Sequence, residues 1–196
     1  MEQQFQYYAF ISYKREDEKW AKWLQDRLRW YKLPSKLCRQ ITRLPKKVWP
    51  VFRDNTDLDS GRLEENIRHE LERSHYLIVI CSPEAARSPW VGKEVKYFAT
   101  LHGADKIIPF VVSGIPYSND IETECIHEQI KAISQEELLA INVREEGIGS
   151  FAMKKKRAFI RVVARLLDIK FNTLWQPYER ILRIRKWSTG IGVVFI

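Results

Sequence analysis

The chain has 196 residues, of which 45% are hydrophobic and 30% charged, a balance that excludes a disordered polypeptide and leaves room for one domain plus a terminal extension. Its formal charge is +8, yet Lys and Arg are spread along the whole length, so the charge defines no nucleic-acid face. Cys38, Cys81 and Cys125 form no CxxC pair and are too few for a disulfide framework, which points to a reducing, cytoplasmic setting. The N-terminus, MEQQFQYYAFISYK, has no basic stretch followed by a long apolar core, so it does not read as a signal peptide.

Tyr7 to Ser12 (YYAFIS) predicts a buried first strand. Trp20, Leu24, Leu28 and Tyr31 then recur at helical spacing until Pro34 ends the pattern. The basic, proline-punctuated stretch from Lys32 to Pro50 reads as a loop or irregular insertion. Val48 to Phe52 suggests a second strand, RDNTDLDSG a loop, and Leu63, Ile67 and Leu71 an amphipathic helix. His75 to Cys81 (HYLIVIC) is the strongest strand signal, a continuous apolar run suited to a central parallel strand, and Ser82 and Pro83 end it. Ser88 and Pro89 read as the N-cap and first residue of a helix whose buried stripe is Val91, Val95 and Phe98.

Lys106 to Val112 (KIIPFVV) predicts another buried strand, Ser113 to Gln135 gives no assignable element, and Leu138 to Val143 suggests a fifth strand. A last helix runs from about Ala152 to Ile169, with the basic run Lys154 to Arg157 on a solvated face. Beyond it, Arg180, Arg183, Arg185, Lys186 and Trp187 precede STGIGVVFI, as at the cytoplasmic edge of a membrane helix, although the apolar run is far shorter than the roughly 20 residues a span requires. This end reads as a basic juxtamembrane segment and the start of a truncated transmembrane helix, tethering the protein to the inner membrane in a longer native chain. A terminal strand or frayed tail is the alternative.

Strands alternating with helices imply a parallel sheet covered on both faces, which binds ligands at the carboxyl ends of its strands. The sequence has no GxGxxG, GxxxxGK[ST], GxSxG or HExxH, which disfavours ordinary Rossmann dehydrogenases, P-loop NTPases, α/β-hydrolases and zincins. A phosphoacceptor receiver would need an Asp at the end of the third strand, where Cys81 and Ser82 stand. His69, His75, His102 and His127 show no metal-ligand spacing.

FISY at Phe10 to Tyr13, VFRD at Val51 to Asp54 with DLDSG at Asp57 to Gly61, and SPEAARSPWVGKEV from Ser82 to Val95 occur in order after successive strands. In this combination the chain resembles the TIR domain, clearly over about residues 7 to 112. The resemblance implies a flavodoxin-like three-layer sandwich with a central parallel five-stranded sheet, a TIR domain over residues 1–170 and an extension over 171–196.

TIR domains divide into scaffolding adaptors and enzymes that cleave nicotinamide from NAD+, and WVGKEV looks like the motif of the catalytic branch. The resemblance therefore implies Glu94 as the catalytic group, and NAD+ as a substrate rather than a bound cofactor, with a linear or cyclic ADP-ribose product. Trp90 and Glu94 lie at i and i+4, on one face of a helix and able to bound one pocket. Phe10, Ser12, Tyr13 and Arg15 are implied nucleotide contacts, with Arg15 available to a phosphate and Trp90 to an aromatic ring. The loop carrying Asp54, Asp57, Leu58 and Gly61 resembles the TIR self-association loop, which implies a homo-oligomer, but Ser60 stands where receptor-type domains have proline before the glycine. Resemblance to bacterial members through the basic insertion before VFRD implies antiviral defence signalling. A non-catalytic interaction module is the competing reading, and a phosphate-recognising domain the third.

Overall fold

Five apolar segments of this chain can satisfy their backbone groups together only by pairing side by side, and in the computed structural model they do so as one sheet. The structure describes residues 5–41, 44–53, 61–133, 139–145, 147, 149–176 and 179, with residues 61–64 described by backbone alone. The strands are β1 (Tyr7–Ser12), β2 (Val51–Arg53), β3 (Ser74–Cys81), β4 (Ile107–Val111) and β5 (Ile141–Asn142). All neighbours are parallel, in the order β2-β1-β3-β4-β5, which is the five-stranded architecture read from the sequence.

Parallel neighbours need crossovers, and helices supply them. They are α1 (Glu18–Trp30), α2 (Ser35–Gln40), α3 (Gly61–Glu72), α4 (Pro83–Ala86), α5 (Pro89–His102), α6 (Glu128–Ile133) and α7 (Phe151–Leu166). Ser88 caps α5, its hydroxyl accepting from the Val91 amide at 3.5 Å, and Pro89 occupies the first helical position, where no amide hydrogen is needed.

Side chains alternate across a strand, so each buried strand feeds two cores. Ala9, Ile11, Ile78, Ile80, Ile108 and Phe110 pack with α1 and α7 on one face. Phe10, Leu77, Val79, Cys81, Ile107 and Val111 pack with α3 and α5 on the other. The first core continues past residue 170, where Leu174 and Trp175 are buried in it.

Several local expectations need correction. The Lys32 to Pro50 insertion is not all loop: it contains α2 and buries Leu33, Leu37 and Val48 against the first core. In α1 the buried stripe is Ala21, Leu24 and Leu28, while Trp20 and Tyr31 lie half-exposed at its borders. Ser82 ends β3 but also opens α4, accepting from the Ala85 amide at 3.0 Å, which makes Glu84 helical. The segment after β4, unreadable from sequence, holds a parallel bridge between Ile115 and Glu124 and then α6. The fifth strand is shorter than Leu138 to Val143 suggested, and Leu139 is largely exposed. Helix α7 stops at Leu166 rather than Ile169 because Asp168 takes a positive φ of 50°, the left-handed turn that commonly terminates helices, and the Ile169 amide folds back to the Ala164 carbonyl at 3.0 Å.

Nor is the basic run on α7 a solvated face. Lys154 Nζ donates to the Arg144 carbonyl at 2.7 Å, Lys155 covers Trp20 and Trp23, and Arg157 pairs with Glu179 at 3.6 Å and lies over Trp175. Asp54, Asp57 and Leu58, and the basic and apolar terminus from Arg180 to Ile196, lie outside the described residues; Gly61 begins α3. Among the described residues no helix is long and apolar enough to cross a membrane.

Ile11, Ile78 and Ile108 sit level across β1, β3 and β4, all essentially inaccessible. Truncating the middle one leaves a cavity its neighbours cannot fill, so Ile78→Ala should cost about 2–5 kcal/mol of unfolding free energy. Urea unfolding of the purified chain measures this.

Candidate active site

The chain leaves β1 toward β2 on one side and reaches β3 on the other, so the crevice between the carboxyl ends of β1 and β3 is the switch point where such sheets bind ligands. Ser12 closes β1 on the same face as Phe10, toward α5. Glu94, the sixth residue of α5, comes down onto it: the Ser12 hydroxyl donates to Glu94 Oε2 at 2.5 Å, with both residues buried. A hydroxyl donating to one carboxyl oxygen in this way fixes the orientation of the group. The pair joins residues 82 positions apart.

Glu94 is only 9% exposed, so it is no solvated helical carboxylate. It also lies beyond the first turn of α5, where the helix dipole has largely faded, so the dipole contributes less there than its proximity to the N-terminus suggests. Glu94 and Trp90 line the same pocket of about 280 Å³ between α3 and α5, together with Ile67, Arg68, Leu71 and Tyr97. Trp90 is 37% exposed and carries Lys93 over its ring at 4.6 Å, so it presents an aromatic surface beside the carboxylate.

The other expected contacts separate. Phe10 is wholly enclosed and stacks on Phe52 at 5.2 Å, so its ring belongs to the core and offers no surface to a nucleotide. Tyr13 turns to the α1 face, where its hydroxyl accepts from Arg53 Nη1 at 2.9 Å. Arg15 is exposed in the 3-10 turn Arg15–Asp17 directly after β1, at the rim of the crevice. Ser12 and Trp90 are therefore each brought to Glu94, Arg15 stands in the turn that follows β1, and Phe10 and Tyr13 pack into the fold.

Two features escaped the sequence reading. Asp17 is buried, and the Ser82 hydroxyl donates to its Oδ2 at 2.5 Å, a second serine–carboxylate pair that binds the turn after β1 to the end of β3. Burial raises the Asp17 pKa, the Ser82 hydrogen bond opposes the rise, and Glu84 and Glu16 add to it. The signal available was an acid one turn beyond a strand and a serine directly after another. The second feature is Gly92, whose missing side chain admits the His127 ring: a Cβ there would lie 2.4 Å from His127 Cε1. His127 is itself buried, and its Nδ1 accepts from the Gln129 amide at 3.0 Å. Burial lifts the thiol of Cys81 well above its ordinary range and that of Cys125 to about 12, which removes both as thiolate nucleophiles near neutrality.

A doubly wound sheet with a buried serine–carboxylate pair at its switch point defines the class as a flavodoxin-like α/β module with a ligand crevice. The sequence matches the TIR domain family over residues 9–146, and the chain belongs to that family. It is 36% identical over 110 residues to the NAD(+) hydrolase ApTIR of an Actinoplanes species, a match spanning 55% of this chain and 14% of that much longer protein. The fold is similar to that of the TIR domains in the activated Roq1 resistosome directly recognizing the pathogen effector XopQ, with a TM-score of 0.52 and 14% identity, covering 79% of this chain and 98% of that one.

The raised Asp17 pKa has a definite sign in stability. Above its ordinary value of 3.8 the unfolded chain ionises first, so folding is opposed increasingly as pH rises through the folded pKa. Asp17→Asn retains an oxygen for Ser82 to donate to and cannot ionise. Its stability relative to the parent should therefore improve between pH 4 and pH 7, as read from paired urea titrations; a constant difference would contradict the shift.

Proposed function

We propose that this TIR domain cleaves the nicotinamide–ribose bond of NAD+, with Glu94 as the catalytic carboxylate and Ser12 as its positioning residue. The observation that carries the reading is the buried Ser12–Glu94 hydrogen bond at the carboxyl end of β1, whose Glu94 also lines the pocket between α3 and α5 beside Trp90. The similarity to a protein named as an NAD(+) hydrolase supports it.

The chemistry asks for one carboxylate. When the glycosidic C–N bond breaks, its electron pair goes to the ring nitrogen and nicotinamide leaves neutral, so no acid is required, unlike hydrolysis at a sugar oxygen. Positive charge develops on the ribose, where a preorganised carboxylate stabilises it. Water then bonds to the anomeric carbon and loses its proton, giving ADP-ribose; capture by an adenine nitrogen instead would give a cyclic product. Held at Oε2 by Ser12, Glu94 keeps its orientation through this sequence, while Trp90 offers a face for a ring of the substrate to stack on.

Glu94→Gln keeps the size and an acceptor for Ser12 but removes the charge. Nicotinamide release should fall at least about a hundred- to a thousandfold. Because Glu94 is buried, unfolding stability should also shift, by about 1 kcal/mol, the difference between a charged and a neutral hydrogen bond. Ser12→Ala should lower turnover by about ten- to a hundredfold. Glu84→Gln, at an exposed position of α4, should leave activity in place. Equal turnover by the Glu94→Gln and parent proteins would leave an interaction module as the better account.

We further propose that the active assembly is a homo-oligomer built through the loop of Asp54, Asp57, Leu58 and Gly61. Specific activity should rise with protein concentration in a dilution series, and substitutions at Asp57 or Leu58 should depress it. A flat profile insensitive to both would indicate a self-contained monomeric site.

A further inference from the structure

Basic residues occur throughout the chain, but acids do not. Between Lys19 and Trp49 ten Lys and Arg stand against one acid, Asp26, a local charge of +9 where the whole chain carries +8. The fold gathers this segment on the sheet face opposite Glu94. Leu24 and Leu28 of α1, Leu37 of α2 and Val48 all enter the core shared with α7, so α1, α2 and the approach to β2 form one layer with its apolar side inward. Left outward are Lys22 and Arg29 on α1, Lys36 and Arg39 on α2, and Lys46 and Lys47. Trp30, the last residue of α1, is 72% exposed. Arg29 lies 5.4 Å from its ring and 5.7 Å from that of Trp49, which joins two indoles and a guanidinium in one patch.

We propose that the outer face of α1, α2 and the approach to β2 docks on an anionic phospholipid surface. The surplus arises from the near absence of acids across the whole segment, and a sheet of lipid phosphates supplies the matching charge. An indole favours the headgroup level, where its ring is buried while Lys and Arg around it reach the phosphates. The chain also leaves the domain by this layer. Leu174 and Trp175 are buried in the core of α1 and α7, and the sequence that follows carries Arg180, Arg183, Arg185, Lys186 and Trp187 ahead of an apolar run. A single-stranded nucleic acid is a poorer occupant, because grooves with successive stacking platforms hold such ligands, and the outer sides of two helices make no groove. Docked in this way, the molecule keeps the Glu94 pocket, on the other sheet face, turned away from the lipid.

Co-sedimentation of the full chain with vesicles of equal parts phosphatidylglycerol and phosphatidylcholine tests this, with pure phosphatidylcholine vesicles as the reference. Binding to the mixed vesicles should be at least about tenfold tighter than to the reference and should fall with added salt. Each basic residue near such a surface contributes a factor of about five, so Lys22→Gln combined with Lys46→Gln should weaken binding about twentyfold. Trp30→Ala should weaken it about tenfold. Arg73→Gln combined with Lys96→Gln removes the same charge from the end of α3 and from α5, and should leave binding nearly unchanged. All five side chains are exposed, so the variants should keep the parent's melting temperature. Equal binding to both kinds of vesicle would overturn the proposal. So would an equal loss in the two double variants, which would leave net charge as the cause. Undiminished vesicle binding by Lys22→Gln with Lys46→Gln and by Trp30→Ala would also overturn it, assigning the lipid contact to the terminal residues; if those variants lost affinity for a single-stranded RNA oligomer instead, the face would belong to nucleic acid.

Discussion

A strand enclosed on both sides must send successive side chains into opposite helix layers, and in β1 that constraint distributes the chemistry of the molecule. Ala9, Ile11 and Tyr13 belong to the layer of α1 and α7, whereas Phe10 and Ser12 face α3 and α5. Ser12 meets Glu94 only because it is two residues from Phe10. A slip of one residue in this strand would bury a hydroxyl beneath α1 and bring a phenol toward α5, so the register that builds the core also builds the site.

Two serine hydroxyls serve two carboxylates at the same end of the sheet, with different consequences. Glu94 of the Ser12–Glu94 pair lines a pocket with an exposed aromatic ring, an arrangement in which a fixed carboxyl group can act on something bound. The Ser82–Asp17 pair ties chain segments together, and burial works against its charge. A neighbouring surface, rather than residue type, separates them.

The order of elements was legible because continuous apolar runs and 3.6-residue stripes survive in a single sequence; YYAFIS and HYLIVIC fall on β1 and β3 to within a residue. The segment between Ser113 and Gln135 was not legible, because its order rests on one bridge and on side-chain contacts such as Glu124 Oε1 accepting the Ile126 amide at 2.7 Å, which leave no periodic trace. At the site, the Trp90 and Glu94 spacing conveyed a shared wall, since helical geometry fixes neighbours four residues apart. The string FISY groups Phe10, Ser12 and Tyr13, but Tyr13 follows Ser12 and so turns to the opposite face, while Phe10 shares the face of Ser12 one pleat deeper, where it is wholly enclosed. Asp17, Ser82 and the Gly92–His127 contact depend on partners 65 and 35 positions distant, which no local pattern encodes.

Ser82 acts in both directions at once, donating to Asp17 and accepting from the Ala85 amide that starts α4. A hydroxyl polarised in this way strengthens each bond through the other, so the two are made or broken together. The turn after β1, whose Asp17 amide bonds back to the Lys14 carbonyl at 2.8 Å, and the first turn of α4 thus form one cooperative opening unit. Solvent deuterium should reach the Asp17 and Ala85 amides in a common event, although the two lie 68 positions apart in the chain.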